Sequence, residues 1–154
     1  MKKRSESIKP VLNIAEQAES KAAQHYARHK ENHQQALQKR DELKNYLKEY
    51  SARAQASNGE AISPAQMQDN RAFLSRLSDI IRIQEDVVVQ QERHLEASRQ
   101  EWLSCRQQAK SLDKLALDYQ AQEQRHAEQI EQRSSDELSS LRHSWLQRQR
   151  IEGM

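Results

Sequence analysis

Apolar residues recur along this chain with a spacing of alternate threes and fours. From Leu12 the pattern runs through Ala15, Glu19, Ala22, Tyr26, His29, His33, Ala36, Arg40, Leu43, Leu47 and Tyr50 to Ala54, and nine of these thirteen positions are apolar. It restarts at Leu74 and passes through Leu77, Ile81, Gln84, Val88, Gln91, Leu95, Ser98, Trp102, Cys105, Ala109, Leu112, Ala116, Tyr119, Glu123 and His126 to Ile130. There, twelve of seventeen positions are apolar. A repeat of ~3.5 residues predicts helices that meet along a coiled-coil seam. After Ile130 the pattern falters and resumes one residue out of step at Leu138, Leu141 and Trp145. Such a slip ends the pairing or changes the supercoil, and predicts a lone helix that has left its partner.

Between the two runs lies SNGEAISPAQ, residues 57 to 66, with one of the two glycines and one of the two prolines. Asn58-Gly59 supplies the left-handed conformation that ends a helix. Ser63-Pro64-Ala65-Gln66 reads as a helix start, with Ser63 as N-cap, Pro64 at the first helical position and Gln66 three residues after the cap. So short a break favours antiparallel neighbours over separate domains. The expected architecture is all-α: an antiparallel two-stranded coiled-coil hairpin of two unequal long helices in a single domain, 1–154. Helix 1 spans about 10–57, the turn 58–63 and helix 2 about 64–150, so the second overhangs the first by more than thirty residues at ~1.5 Å per residue.

Composition supports a narrow seam. Hydrophobic residues make up 35% and charged residues 31% of the 154, with a single Phe, too little bulk for a deep core. Ala15, Ala22, Ala36 and Ala54 let backbones approach but bury little area. Glu19, His29, His33, Arg40, Gln84 and Gln91 on the seam lower stability and can fix register. The net charge of +2 comes from 25 basic and 23 acidic residues, an interspersed balance that argues against a nucleic-acid binder. Both ends are basic. Residues 1–10 carry Lys2, Lys3, Arg4 and Lys9 against Glu6, and residues 139–154 carry Arg142, Arg148 and Arg150 against Glu152.

Candidate chemistry is sparse. With two glycines there is no phosphate loop, and no nucleophile elbow or paired catalytic motif is present, so enzyme activity is not expected. No cofactor is implied. His25, His29 and His33 repeat every four residues, a spacing that two metal ligands can share, but two of them fall on the seam, so polar or pH-sensitive packing is the expected role and no metal site is assigned. Cys105, the only cysteine, reads as a small seam residue, excludes an internal disulfide and fits a reducing cytoplasm. Trp102 reads as core, and Trp145, in the overhang, as a docking residue. No apolar run approaches the ~18–20 residues of a membrane span, and the basic start is followed by no signal-peptide core.

Beside the turn there is more apolar surface than one seam hides. Leu43, Tyr46, Leu47 and Tyr50 crowd two turns of the first run. Phe73, Leu77 and Ile80 form a second row beside the Leu74, Leu77, Ile81 seam. Its outer part is expected to be exposed, as partner-binding surfaces are, the alternative being a locally wider core with tyrosine hydroxyls at its rim.

These residues carry a resemblance. Leu43-x2-Tyr46-x3-Tyr50, Ser63-Pro64, Asn70-Arg71-Ala72-Phe73-Leu74-x2-Leu77, then Trp102 and the Leu112/Leu115 heptads resemble the flagellar type III export stalk proteins, the FliJ family, over nearly the whole chain. Arg71 stands where an aromatic is expected in that family. The resemblance implies a cytoplasmic protein, peripheral at the inner-membrane export apparatus, that inserts the end bearing both termini into a hexameric export ATPase. It also implies contact with the cytoplasmic part of the membrane export gate and with substrate chaperones. Carried over residue by residue, the gate-binding set is Leu43, Tyr46, Tyr50, Phe73, Leu77 and Ile80, flanked by Lys39 and Gln84. The ATPase-binding set is Lys2, Lys3, Arg4, Arg142, Trp145, Arg148 and Arg150. The stalk of a virulence injectisome and a structural coiled-coil scaffold without an ATPase remain as alternatives.

Overall fold

A computed structural model describes residues 3–57 and 62–153. Two helices account for nearly all of them: α1, Arg4–Ser57, and α2, Pro64–Glu152. They pack against each other as an all-α hairpin, with no strand among the described residues. The seam follows the expected register. Every position from Leu12 to Ala54 in the three-four series, and every one from Leu74 to Glu123, is buried or half-buried. The deepest include Ala22, Ala36, Ala109 and Val88, exposed by only 4–7%. Small residues reach the deepest places because the helices approach closely there, and no large side chain is wholly enclosed.

The start of α2 is built as its sequence predicts. The Ser63 Oγ accepts a hydrogen bond from the Gln66 N–H at 3.2 Å, and the Met67 N–H reaches the Ser63 carbonyl at 3.1 Å. This satisfies first-turn donors that no helical carbonyl can meet. The Asn58-Gly59 cap lies outside the described residues.

Two boundaries differ from expectation. First, α1 begins at Arg4, and Pro10 sits inside it. Pro10 is exposed, so its ring faces water and the carbonyl it fails to bond can be solvated. Packing repays the lost bond, since Ser5 and Ile8, the next two seam positions upstream of Leu12, are both only 7% exposed. Second, the buried series on α2 stops at Glu123, whereas His126 and Ile130 are exposed. Glu123 lies against Ser5, so the series ends where α1 begins. The unpaired stretch, residues 124–152, therefore begins earlier than the seam pattern implied, which had the pairing end after Ile130, and is slightly shorter than the overhang of more than thirty residues implied by the helix lengths.

The helices divide into two compact units. One joins residues 18–57 of α1 to residues 64–106 of α2. The other joins the beginning of α1, up to Gln17, to α2 from Gln107 onward.

Candidate partner-binding surfaces

With Leu74 placed at heptad position a, the seam residues occupy a and d, and each helix offers two flanking rows, e and g. In the 18–106 unit the two flanks differ in chemistry. On the e side, the Lys44 Nζ meets the Glu85 Oε1 at 3.0 Å, both half-exposed, which is a solvated ion pair of small energetic weight. On the g side, α1 supplies Tyr46, and α2 supplies Phe73, Ile80 and Val87, three apolar residues seven apart, each just before a seam residue.

Phe73 organises this flank. Its ring lies 4.5 Å from that of Tyr50, tilted, and 6.4 Å from that of Tyr46, edge-on at 70°. Such offset aromatic pairs fix one another's orientation. The Tyr50 hydroxyl donates to the Asn70 Oδ1 at 3.1 Å, which holds Tyr50 within the seam. Tyr46 and Ile80 remain 49% exposed. Together with half-buried Phe73 they form an apolar surface supported from beneath.

The six residues expected to act together are thus sorted by depth. Tyr46 and Ile80 are exposed, with half-buried Phe73 beside Tyr46. Leu43 and Tyr50 are half-buried supports, and Leu77, 6% exposed, belongs to the seam. Gln84, expected as a flanking contact, is also buried, and its Nε2 donates to the Ala36 carbonyl at 3.0 Å. Lys39 is exposed beside a shallow hollow of about 370 Å³ lined by Asn32, Gln84, Val87 and Gln91 among others. Beyond Ile80 the apolar row continues to half-buried Val87, and Ile83 nearby is 64% exposed. The seven-residue recurrence of Phe73, Ile80 and Val87 is the signal that extends it.

The second unit carries the basic residues near the chain's start and end. The Arg4 guanidinium lies 5.9 Å from the centroid of the Tyr119 ring, a cation–π contact within the chain, so Arg4 is partly engaged. Ser5 donates to Glu123 through both its backbone N–H, at 3.1 Å, and its hydroxyl. A carboxylate is thereby placed at the N-terminus of α1, where the free N–H groups and the helix dipole favour negative charge. These two hydrogen bonds, with a lesser contribution from Lys3, hold the Glu123 carboxyl below its ordinary range against the opposing effect of burial. Lys2 lies outside the described residues.

On the unpaired stretch of α2, Leu138, Leu141 and Trp145 are 57–68% exposed, and Leu146 and Ile151 join them. Arg142, Arg148 and Arg150 are exposed along the same stretch. This is an apolar row with basic neighbours and no second helix over it.

Trp102 lies inside the seam, stacked on Tyr26 with ring centroids 5.7 Å apart and planes 6° from parallel. Cys105 is half-buried there. His29 and His33 are half-buried on the seam and His25 is exposed. Among the described residues no three His, Cys, Asp or Glu side chains converge to hold a metal ion, and no helix is long and apolar enough to cross a membrane.

Comparison with known proteins gives a family match and no close individual relative. The family described as "Flagellar FliJ protein" matches residues 4–148. No curated protein and no solved structure matches. The matched span covers the paired helices, the aromatic flank and most of the unpaired stretch of α2, so the resemblance read from Tyr46, Tyr50 and Phe73 holds across the hairpin. The chain belongs to the flagellar FliJ protein family and is thereby a component of the flagellar protein export apparatus.

Proposed function

We propose that this protein is the stalk of the export apparatus, linking the hexameric export ATPase to the membrane export gate. Tyr46, Phe73 and Ile80 form the surface that the gate's cytoplasmic part binds. The basic terminal segments and the apolar row around Trp145 form the surface that enters the ATPase ring. Basic residues there are steered toward an acidic ring interior. The protein also helps deliver or recycle the chaperones that bring export substrates, and works in the cytoplasm, peripheral at the inner-membrane apparatus through protein contacts alone. It contributes no active site, cofactor or nucleic-acid contact.

The observation that carries this reading is half-exposed Tyr46 set edge-on against Phe73, with half-exposed Ile80 seven residues along the same row. A two-helix seam has no structural need for that surface, and exposed aromatic surface of this kind marks partner contacts. The test is a binding assay with the gate's cytoplasmic domain and a secretion assay in cells. Tyr46→Ala combined with Phe73→Ala is expected to abolish both. Unchanged gate binding and secretion would refute the assignment.

A further inference from the structure

The 18–106 unit contains a concentration of histidine that the two binding surfaces do not use. His29 and His33 occupy successive seam positions of α1, one turn apart. The His29 ring stacks on that of His94 from α2, with centroids 5.8 Å apart and planes 23° from parallel. The His33 Nε2 lies 3.5 Å from the Glu92 Oε1. Both the His29 Nδ1 and the His33 Nε2 are enclosed and lack a hydrogen-bond partner. Glu92 is thus near His33 in charge terms but not aligned to bond it.

We propose that this histidine layer is an acid-sensitive joint in the seam, which loosens the pairing of α1 with α2 around His29 when its rings carry charge. Uncharged, the His29 and His94 rings stack as neutral aromatics. Charged, they place two like charges about 6 Å apart, with the His29 ring half-buried on the seam and the His94 ring exposed beside it. The surrounding charges do not cancel it. On α1, His29 is flanked by exposed Arg28, Lys30 and Glu31, with His25 and His33 one turn to either side. On α2, His94 is flanked by Arg93, and the nearby Glu96 is engaged by Arg99 and Gln100. Glu92 alone is placed to favour a charge, and it faces His33. Among the described residues neither His29 nor His94 has a carboxylate within ion-pair reach, so the charged pair is left repulsive.

The test is amide hydrogen exchange on the full chain at about pH 7.5 and about pH 5.5, corrected for intrinsic exchange. Segments 26–36 and 91–102 are expected to exchange on the order of five- to tenfold faster in acid, while 43–54 in the same unit changes far less. His94→Phe keeps a stacking ring without the charge and is expected to remove most of that acceleration. Glu92→Gln removes the one counter-charge and is expected to enlarge it. No acceleration, acceleration spread evenly over the unit, or an undiminished effect in His94→Phe would each overturn the proposal.

Discussion

Single residues here divide by depth rather than by identity. Leu77 and Ile80 are both aliphatic and three apart, yet Leu77 is 6% and Ile80 49% exposed. Leu77→Ala is expected to destabilise the hairpin by about 2 kcal/mol, the lower end for a large-to-small core change, because a two-helix seam can collapse around the loss. Ile80→Glu is expected to change stability by less than about 0.5 kcal/mol while weakening gate binding. Thermal unfolding beside a gate-binding assay separates the two effects. Glu123 makes a second prediction. Its carboxyl is held below the usual carboxylate range by the two hydrogen bonds from Ser5. A depressed carboxyl stabilises the fold above its unfolded-state value, and this contribution is lost as pH falls through the folded value. Amide protection of the first turns of α1 should therefore fall in acid below about pH 4.5. In Glu123→Gln that pH step should disappear, and NMR-detected exchange would show it. The pairing of Ser5 with Glu123 was not legible in the sequence, because Ser5 lies upstream of a proline that reads as a helix boundary. The depth order of Leu43, Tyr46, Leu77 and Ile80 was legible, because Leu43 and Leu77 fall on the three-four stripe and Tyr46 and Ile80 fall beside it.

The two helices were legible almost throughout. The alternation fixes every seam position from Leu12 to Ala54 and from Leu74 to Glu123, and Ser63 caps α2 as its sequence demands. Reading missed where tertiary contact outweighs a local signal. Pro10 is a helix breaker by intrinsic preference, but burial of Ser5 and Ile8 carries α1 past it. Pro10→Ala should then strengthen the first turns of α1 by about 1–3 kcal/mol, by restoring one backbone bond and removing the ring. Slower amide exchange over residues 5–9 would register the gain. His126 and Ile130 continue the periodic pattern, yet they are exposed because α1 offers nothing opposite them. Gln84 illustrates a seam element kept polar. Its amide reaches the Ala36 carbonyl across the pair, a bond tied to one register. In Gln84→Leu that carbonyl keeps its helical partner, so thermal stability should hold or rise by up to about 1 kcal/mol. A large fall in melting temperature would show the bond to be worth more than this.

For the molecule as a whole, the consequence lies in having two accessible surfaces in two different units. One is apolar and aromatic, built on Phe73. The other is apolar with basic neighbours, built on Trp145. A coupling protein needs two partners bound through separable sites, and separability is the central claim. It is tested most directly by one paired pull-down, with the purified export ATPase and the gate's cytoplasmic domain each offered to the full chain and to two variants. Tyr46→Ala with Phe73→Ala should lose the gate and keep the ATPase. Leu141→Ala with Trp145→Ala should lose the ATPase and keep the gate. If either variant lost both partners while remaining helical, or if both variants kept both, the account of two separate coupling surfaces would be contradicted.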